Sequence, residues 1–222
     1  MVVAHLYSDL LNLYGNDGNV KILVDKLQVM NVPVEVVKPT VGSVMDFSSY
    51  DFVFIGSGTE NNLKIAISDL MRYKSDIKEA ISSGKVFLIA GNSLDIFGKG
   101  LNGKEEIVGL GIFDFYSSYV TRIKKDVSYN CNFLDKPILG FENHNYVITS
   151  SCCDSLFEDS GIRDNNFMGT YVEGPILVRN PDFLEYIIKL LVSDDEALNL
   201  LDLDLERQAY DNFVKVLASK DY

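Results

Sequence analysis

Short apolar runs alternate in the first half of this chain with longer stretches whose apolar residues recur every three to four positions. VVAHLY (2–7), VPVEVVKP (32–39), YDFVFIGSG (50–58) and KVFLIAG (85–91) are of the first kind and predict strands. SDLLNLYGNDGNVKILVDKLQVM (8–30) and ISDLMRYKSDIKEAISSG (67–84) are of the second kind and predict helices, the latter ending at Gly84 as a C-terminal cap. KVFLIAG is almost wholly apolar, as expected of a strand in the buried centre of a parallel sheet. The alternation predicts an α/β sheet with mainly parallel strands, whose working loops lie beyond the C-terminal strand ends. That places the turns Gly56-Ser57-Gly58 and Gly91-Asn92-Ser93 at one rim.

The second half has a different pattern. IFDFYSSYVTRIKKDVSYNC (112–131) and PILGFENHNYVITS (137–150) are β-rich, and GTYVEGPILVRNP (169–181) reads as a further strand and turn. PDFLEYIIKLLV (181–192) is helical, and residues 195–220 supply one or two more helices. With no repeats, low-complexity tracts or linkers, residues 1–222 read as a single domain.

At 47% hydrophobic and 23% charged residues, the composition is that of a globular protein with a real core. No apolar run approaches the roughly 18 to 20 residues of a membrane span, and the N-terminus lacks the pattern of a secretory signal, so the expected location is the cytoplasm. The net charge of -12 argues against nucleic acid, which needs a basic face. Residues 193–222 carry eight acids against three bases, either as a solvated helix surface or as a docking face for a basic partner. Three cysteines, with Cys152 and Cys153 adjacent, make no disulfide framework, and the spacing of the two histidines suggests no metal site. No cofactor is expected.

FLIAGNSLDIFG (87–98) predicts a strand turning sharply into a helix, where α/β enzymes often mount a nucleophile. Its apex, Gly91-Asn92-Ser93, contains no cysteine. Around it, HLYSDLLNLYGNDGNV (5–20) resembles the opening H-L-Y-P-D-L-L-N-L-Y-G-D of glutamine amidotransferases of the cobyric acid synthase type, in particular the glutaminase subunits of lipid II isoglutaminyl synthase. DFVFIGSGTENN (51–62) looks like that family's strand and oxyanion turn, and GLGIFDFY (109–116) like its segment after the nucleophile helix. GFENH (140–144) and GTYVEGPILVRNP match two later signatures, so the resemblance spans essentially the whole chain. It implies a class I, flavodoxin-like sheet with helices on both faces. It also implies a chemistry in which an elbow cysteine and a histidine release ammonia from glutamine for a synthetase partner.

The departures fall on those two residues. Aligning the family elbow C-G-G-Y-Q-L-L-G on Gly98 puts the cysteine position at Gly91, or at Ala90 with a one-residue slip. The family's G-T-Y-L-H-G-P signature has Glu173 here in place of histidine. The resemblance thus implies a pseudo-glutaminase without catalytic residues, acting as partner or regulatory subunit of a Mur-ligase-like synthetase. Gly56, Gly58, Asn92, Ser93 and Arg122 are the candidates for binding glutamine or a related small molecule. Arg122 falls near a family arginine that grips the substrate carboxylate, and reads equally well as an exposed arginine on a strand edge. Two other readings stay open: a hydrolase with altered chemistry using Ser93 or Glu173, and a working glutaminase supplying ammonia for amidation of peptidoglycan precursors. A serine nucleophile needs a base within reach, and His5 and His144 lie in motifs where the family also has histidine and read as structural.

Overall fold

The apolar runs of the first half become neighbouring strands: β1 (Val2–His5), β2 (Glu35–Val37), β3 (Phe52–Ile55) and β4 (Val86–Ala90). The computed structural model describes residues 1–103, 106–149, 153–158 and 160–219. It continues with β5 (Gly100–Asn102), β6 (Glu106–Val108), β7 (Tyr116–Tyr129), β8 (Ile138–Thr149), β9 (Ile162–Asp164), β10 (Phe167–Thr170) and β11 (Val172–Glu173). The larger sheet has the order β2-β1-β3-β4-β10-β9 and is parallel up to its antiparallel edge strand β9. The smaller sheet, β11-β8-β7-β5-β6, is antiparallel except where β5 meets β7. The order 2-1-3-4 is that of a flavodoxin-like sheet, with its topological switch between β1 and β3.

Seven helices complete the described chain: α1 (Asp17–Val29), α2 (Glu60–Leu70), α3 (Lys74–Ser82), α4 (Ile176–Arg179), α5 (Pro181–Leu191), α6 (Asp195–Leu198) and α7 (Asp204–Ser219). Period-two alternation in the central strands divides them between two faces. Phe52, Phe54, Leu88 and Ala90 pack with Leu23 and Leu27 of α1 and with Phe183 and Ile187 of α5. Val53, Ile55, Phe87 and Ile89 pack with Leu63 and Ala66 of α2 and with Ile77 and Ile81 of α3. Both faces are therefore covered, which explains why β3 and β4 are apolar at every position. Each of the larger of these side chains contributes about 1.5 to 3 kcal/mol by leaving water.

Three elements differ from the sequence pattern. Residues 8–30 form an α-helix only from Asp17, because Tyr14 and Gly15 sit at φ 59° and 75° and break the helical path before it. Residues 67–84 are not one helix. Thr59 caps α2 by accepting from the Asn62 N–H, a 3₁₀ turn at Met71–Tyr73 follows, and α3 ends before Gly84 at φ 86°. Finally, β4 runs into a seven-residue 3₁₀ helix, Gly91–Phe97, in place of an α-helix. Six of its residues are buried, so it has no solvent face of the kind an amphipathic α-helix presents. None of the described helices is long and apolar enough to cross a membrane.

The acidic C-terminal segment is partly neutralised within the fold. Glu206 pairs with Lys26 of α1 at 2.6 Å, and Asp211 with Lys136 at 2.9 Å. The chain passes from the larger sheet to the smaller at Tyr171, between β10 and β11. That crossing carries Glu173 over the end of β4.

Candidate functional site

The C-terminal ends of β3 and β4 and the start of β11 converge at the switch point. Gly91 leaves β4 at φ 67°, a left-handed conformation that glycine adopts without strain. A Cβ built on it would lie 2.5 and 2.6 Å from the two carboxylate oxygens of Glu173 and 2.6 Å from the Ser57 Cβ. The Glu173 side chain thus fills the space into which a side chain at Gly91 would project. Ser57 Oγ donates a short hydrogen bond to Glu173 Oε2, and Asn16 Nδ2 donates to Ser57 Oγ at 2.9 Å and to the Leu13 carbonyl at 2.8 Å. Glu173, Ser57 and Asn16 are all buried. Burial pushes the Glu173 carboxyl up to about 7, while Ser57, Asn16 and the charge of His144 oppose the rise.

Asn92 closes the other half of the turn. Its side-chain amide donates to the Gly58 carbonyl at 2.8 Å and accepts the Gly58 N–H at 3.2 Å, so both polar groups of that residue's backbone are engaged. Ser93 is fully buried, and its hydroxyl donates to the Gly56 carbonyl at 2.5 Å. A hydroxyl held this way anchors one turn to the other and has its proton directed at a backbone oxygen rather than at a base. Gly56 and Gly58 admit the 10–16 segment closely: a Cβ on Gly56 would meet the Leu11 carbonyl oxygen at 2.5 Å, and one on Gly58 the Leu11 Cδ2 at 2.4 Å.

Beside this closed turn lies a cavity of about 130 Å³, lined by Asn92 and Asp95 from the 3₁₀ helix, Glu60 from α2, and Asn143, His144, Asn145 and Tyr146 from β8, with apolar residues between them. Gly91, Ser57 and Glu173 contribute nothing to its lining. Asp95 is fully buried. Its Oδ1 accepts from Ser117 Oγ at 2.6 Å and from Tyr171 Oη at 2.5 Å, while Oδ2 has no hydrogen bond within the protein. Burial raises the Asp95 carboxyl to about 6, against the hydrogen bonds from Ser117 and Tyr171 and the charge of His144. The His144 ring stacks on Tyr171 with centroids 4.1 Å apart, and its Nε2 stands 3.5 Å from Glu142 Oε2. Burial alone would lower His144. The nearby Glu142 carboxylate and the hydrogen bond to the Tyr146 carbonyl outweigh it and hold the imidazole above its ordinary range.

Of the residues singled out from sequence, Gly56, Gly58, Gly91, Asn92, Ser93 and Glu173 meet at one place. Arg122 is exposed at the register shift of β7, and its Nε donates to Asn143 Oδ1 at 2.7 Å. It braces a cavity-lining amide and does not itself line the cavity. His5 is buried edge-on to Phe54, and burial, with Lys38, lowers it to about 4. Cys153 is half-buried, while Cys152 lies outside the described residues. Ser57, Asn16 and Asp95 are the site residues that motif reading passed over. Asp95 carried a signal, being the lone acid in the apolar run Leu94-Asp95-Ile96-Phe97.

The comparisons with known proteins agree with this architecture. A CobB/CobQ-like glutamine amidotransferase domain matches residues 2–181. The GatD subunit of the lipid II isoglutaminyl synthase (glutamine-hydrolysing) of Staphylococcus aureus strain N315 is 28% identical, over 99% of this chain and 93% of its own length. The corresponding subunit of Streptococcus pneumoniae strain R6 is 25% identical, over 99% and 89%. Among solved structures, a glutamine amidotransferase superposes with a TM-score of 0.56 at 13% identity, covering 85% of this chain and 98% of its own. PurLQS from Thermotoga maritima superposes with a TM-score of 0.54 at 12% identity, covering 96% and 98%. At such identities the two structures speak for the fold alone.

Proposed function

Because this chain belongs to the CobB/CobQ-like glutamine amidotransferase domains, we propose that it is an amidotransferase-type subunit whose glutaminase site is closed. In this reading it serves, as one domain over 1–222, as partner or regulator of a Mur-ligase-like synthetase in an assembly like the lipid II isoglutaminyl synthase of its relatives. A cytoplasmic placement belongs to the same reading.

One observation carries the proposal: the Glu173 carboxylate occupies the space that a nucleophile on residue 91 would need. Glutamine hydrolysis by this fold requires a thiolate beside a base, with free N–H groups for the oxyanion. Here residue 91 has no side chain, a carboxyl stands at the base position, and the Gly58 N–H is taken by Asn92. Loss of a nucleophile and base that act together lowers turnover by on the order of 10⁶-fold. Purified protein incubated with glutamine should therefore release no glutamate above the blank. Turnover that follows the protein through successive purification steps would overturn the proposal.

A further inference from the structure

We propose that the cavity beside the closed elbow is a binding site for a small protonated amine, held on Asp95. The inference builds on the reading of the elbow as closed and names what the space next to it takes. Three observations carry it. First, Asp95 is fully buried, with one carboxylate oxygen committed to Ser117 and Tyr171 and the other without a partner in the protein. Buried carboxylate oxygens in folded proteins are generally hydrogen-bonded, and leaving one bare is costly. Second, Asp95 lines a cavity of about 130 Å³, large enough for a group several times the size of a water molecule. Third, the described lining holds two carboxylates, Asp95 and Glu60, and the neutral amides of Asn92, Asn143 and Asn145, against a single basic side chain, His144, whose imidazole stands 3.5 Å from the Glu142 carboxylate.

Such a lining suits the positive end of a ligand. An ammonium group supplies three donors and a charge, so it satisfies the bare oxygen through a charge-assisted bond and still has donors for the amide carbonyls. A carboxylate brought into the same space would face Asp95 and Glu60 as like charges. Arg122, the one nearby guanidinium identified from sequence, is turned onto Asn143. The family elbow has glutamine where Asp95 stands, so the preference for a cation belongs to this chain's own substitution.

The test is an NMR titration of the whole protein with methylammonium chloride, against sodium chloride at equal ionic strength, at a pH above the Asp95 range. Saturable shifts of the Asn92, Asn143 and Asn145 side-chain amides are expected. Acetamide, a neutral donor of similar size, should produce none. Asp95→Asn should weaken methylammonium binding by about tenfold or more, the worth of one charge-assisted bond, and Glu60→Gln, at an exposed position, by a smaller factor. Absence of saturable shifts, an equal response to acetamide, or retention of affinity in folded Asp95→Asn would each overturn the proposal. If Asp95→Asn does not fold, the comparison of methylammonium with acetamide on the unaltered protein decides. Glutamate release is a separate readout, so a failure here is distinguishable from a failure of the closed-elbow reading.

Discussion

The claim that Glu173 fills the space over Gly91 can be measured as a coupling energy between Gly91→Ala and Glu173→Ala. Gly91→Ala introduces a Cβ at φ 67°, which costs about 1 to 2 kcal/mol for an L-residue. The new methyl also falls 2.5 to 2.6 Å from both Glu173 oxygens and from the Ser57 Cβ, a crowding that typically costs about 1 to 3 kcal/mol. The single variant should therefore lose about 2 to 5 kcal/mol. Glu173→Ala removes the acceptor of the Ser57 hydroxyl and leaves a small void, for about 1 to 3 kcal/mol. In the double variant the backbone strain persists, the carboxylate contacts are gone, and Ser57 is free to turn. The combined loss should fall short of the sum by about 1 to 2 kcal/mol, as for residues in direct contact. The chain contains no tryptophan, so urea unfolding is best followed by far-ultraviolet circular dichroism. Additivity within about 0.5 kcal/mol would refute the reasoning, because it would mean that Glu173 does not hold the space above Gly91.

Two further outcomes follow from the same network and from its support. Since Glu173 is raised from 4.5 to about 7 on folding, its contribution to stability is complete below about pH 4.5 and is lost as pH rises through about 7. Glu173→Gln should remove up to about 3 kcal/mol of that pH dependence, and an unchanged difference between wild type and variant across urea titrations at several pH values would contradict it; Asp95, shifted in the same sense, cancels in the comparison. Buried Asn180 accepts the Leu139 N–H at 2.8 Å and donates to the carbonyls of Leu139 and Ile176 at 3.0 and 2.8 Å. Asn180→Ala should therefore cost about 2 to 4 kcal/mol in urea unfolding, and a loss below about 0.5 kcal/mol would show these bonds to be dispensable.

The parts legible in the sequence were those dictated by burial on a periodic backbone. β3 and β4 are packed on both faces, so their residues had to be apolar at every position, and the turns that follow them had to meet at one rim. What escaped depended on conformations and pairings that no local period encodes. Tyr14 holds left-handed backbone that a side-chain pattern does not announce, so the pattern predicts a first helix that is too long. The 3₁₀ helix after β4 has apolar spacing compatible with an α-helix, and only its near-complete burial distinguishes it. The polar closure of the site was the least legible feature: Ser57 and Glu173 stand 116 residues apart, and Gly58 and Asn92 stand 34 apart. Ser57 stands in the sequence only as the middle of the Gly56-Ser57-Gly58 turn, although it proves to be the donor that holds the carboxylate.

The form of this closure bears on why the fold has been kept. An emptied active site would leave strained backbone, bare amide groups and a void, each costing about 1 to 3 kcal/mol. In this chain the costs at the elbow itself are met by particular residues. Glycine at position 91 carries the left-handed turn without strain, Glu173 occupies the space above it, and Asn92 satisfies both polar groups of the Gly58 backbone. Ser93 donates to the Gly56 carbonyl and Ser57 to Glu173. The turn geometry itself is enforced from below, by strands locked between two helical layers. The outline of the rim therefore persists whatever its interior does. On the reading proposed above, a partner that reads the rim meets the shape of an amidotransferase, held by the residues beneath. On the same reading, that is how a subunit gives up turnover and keeps a place in an assembly.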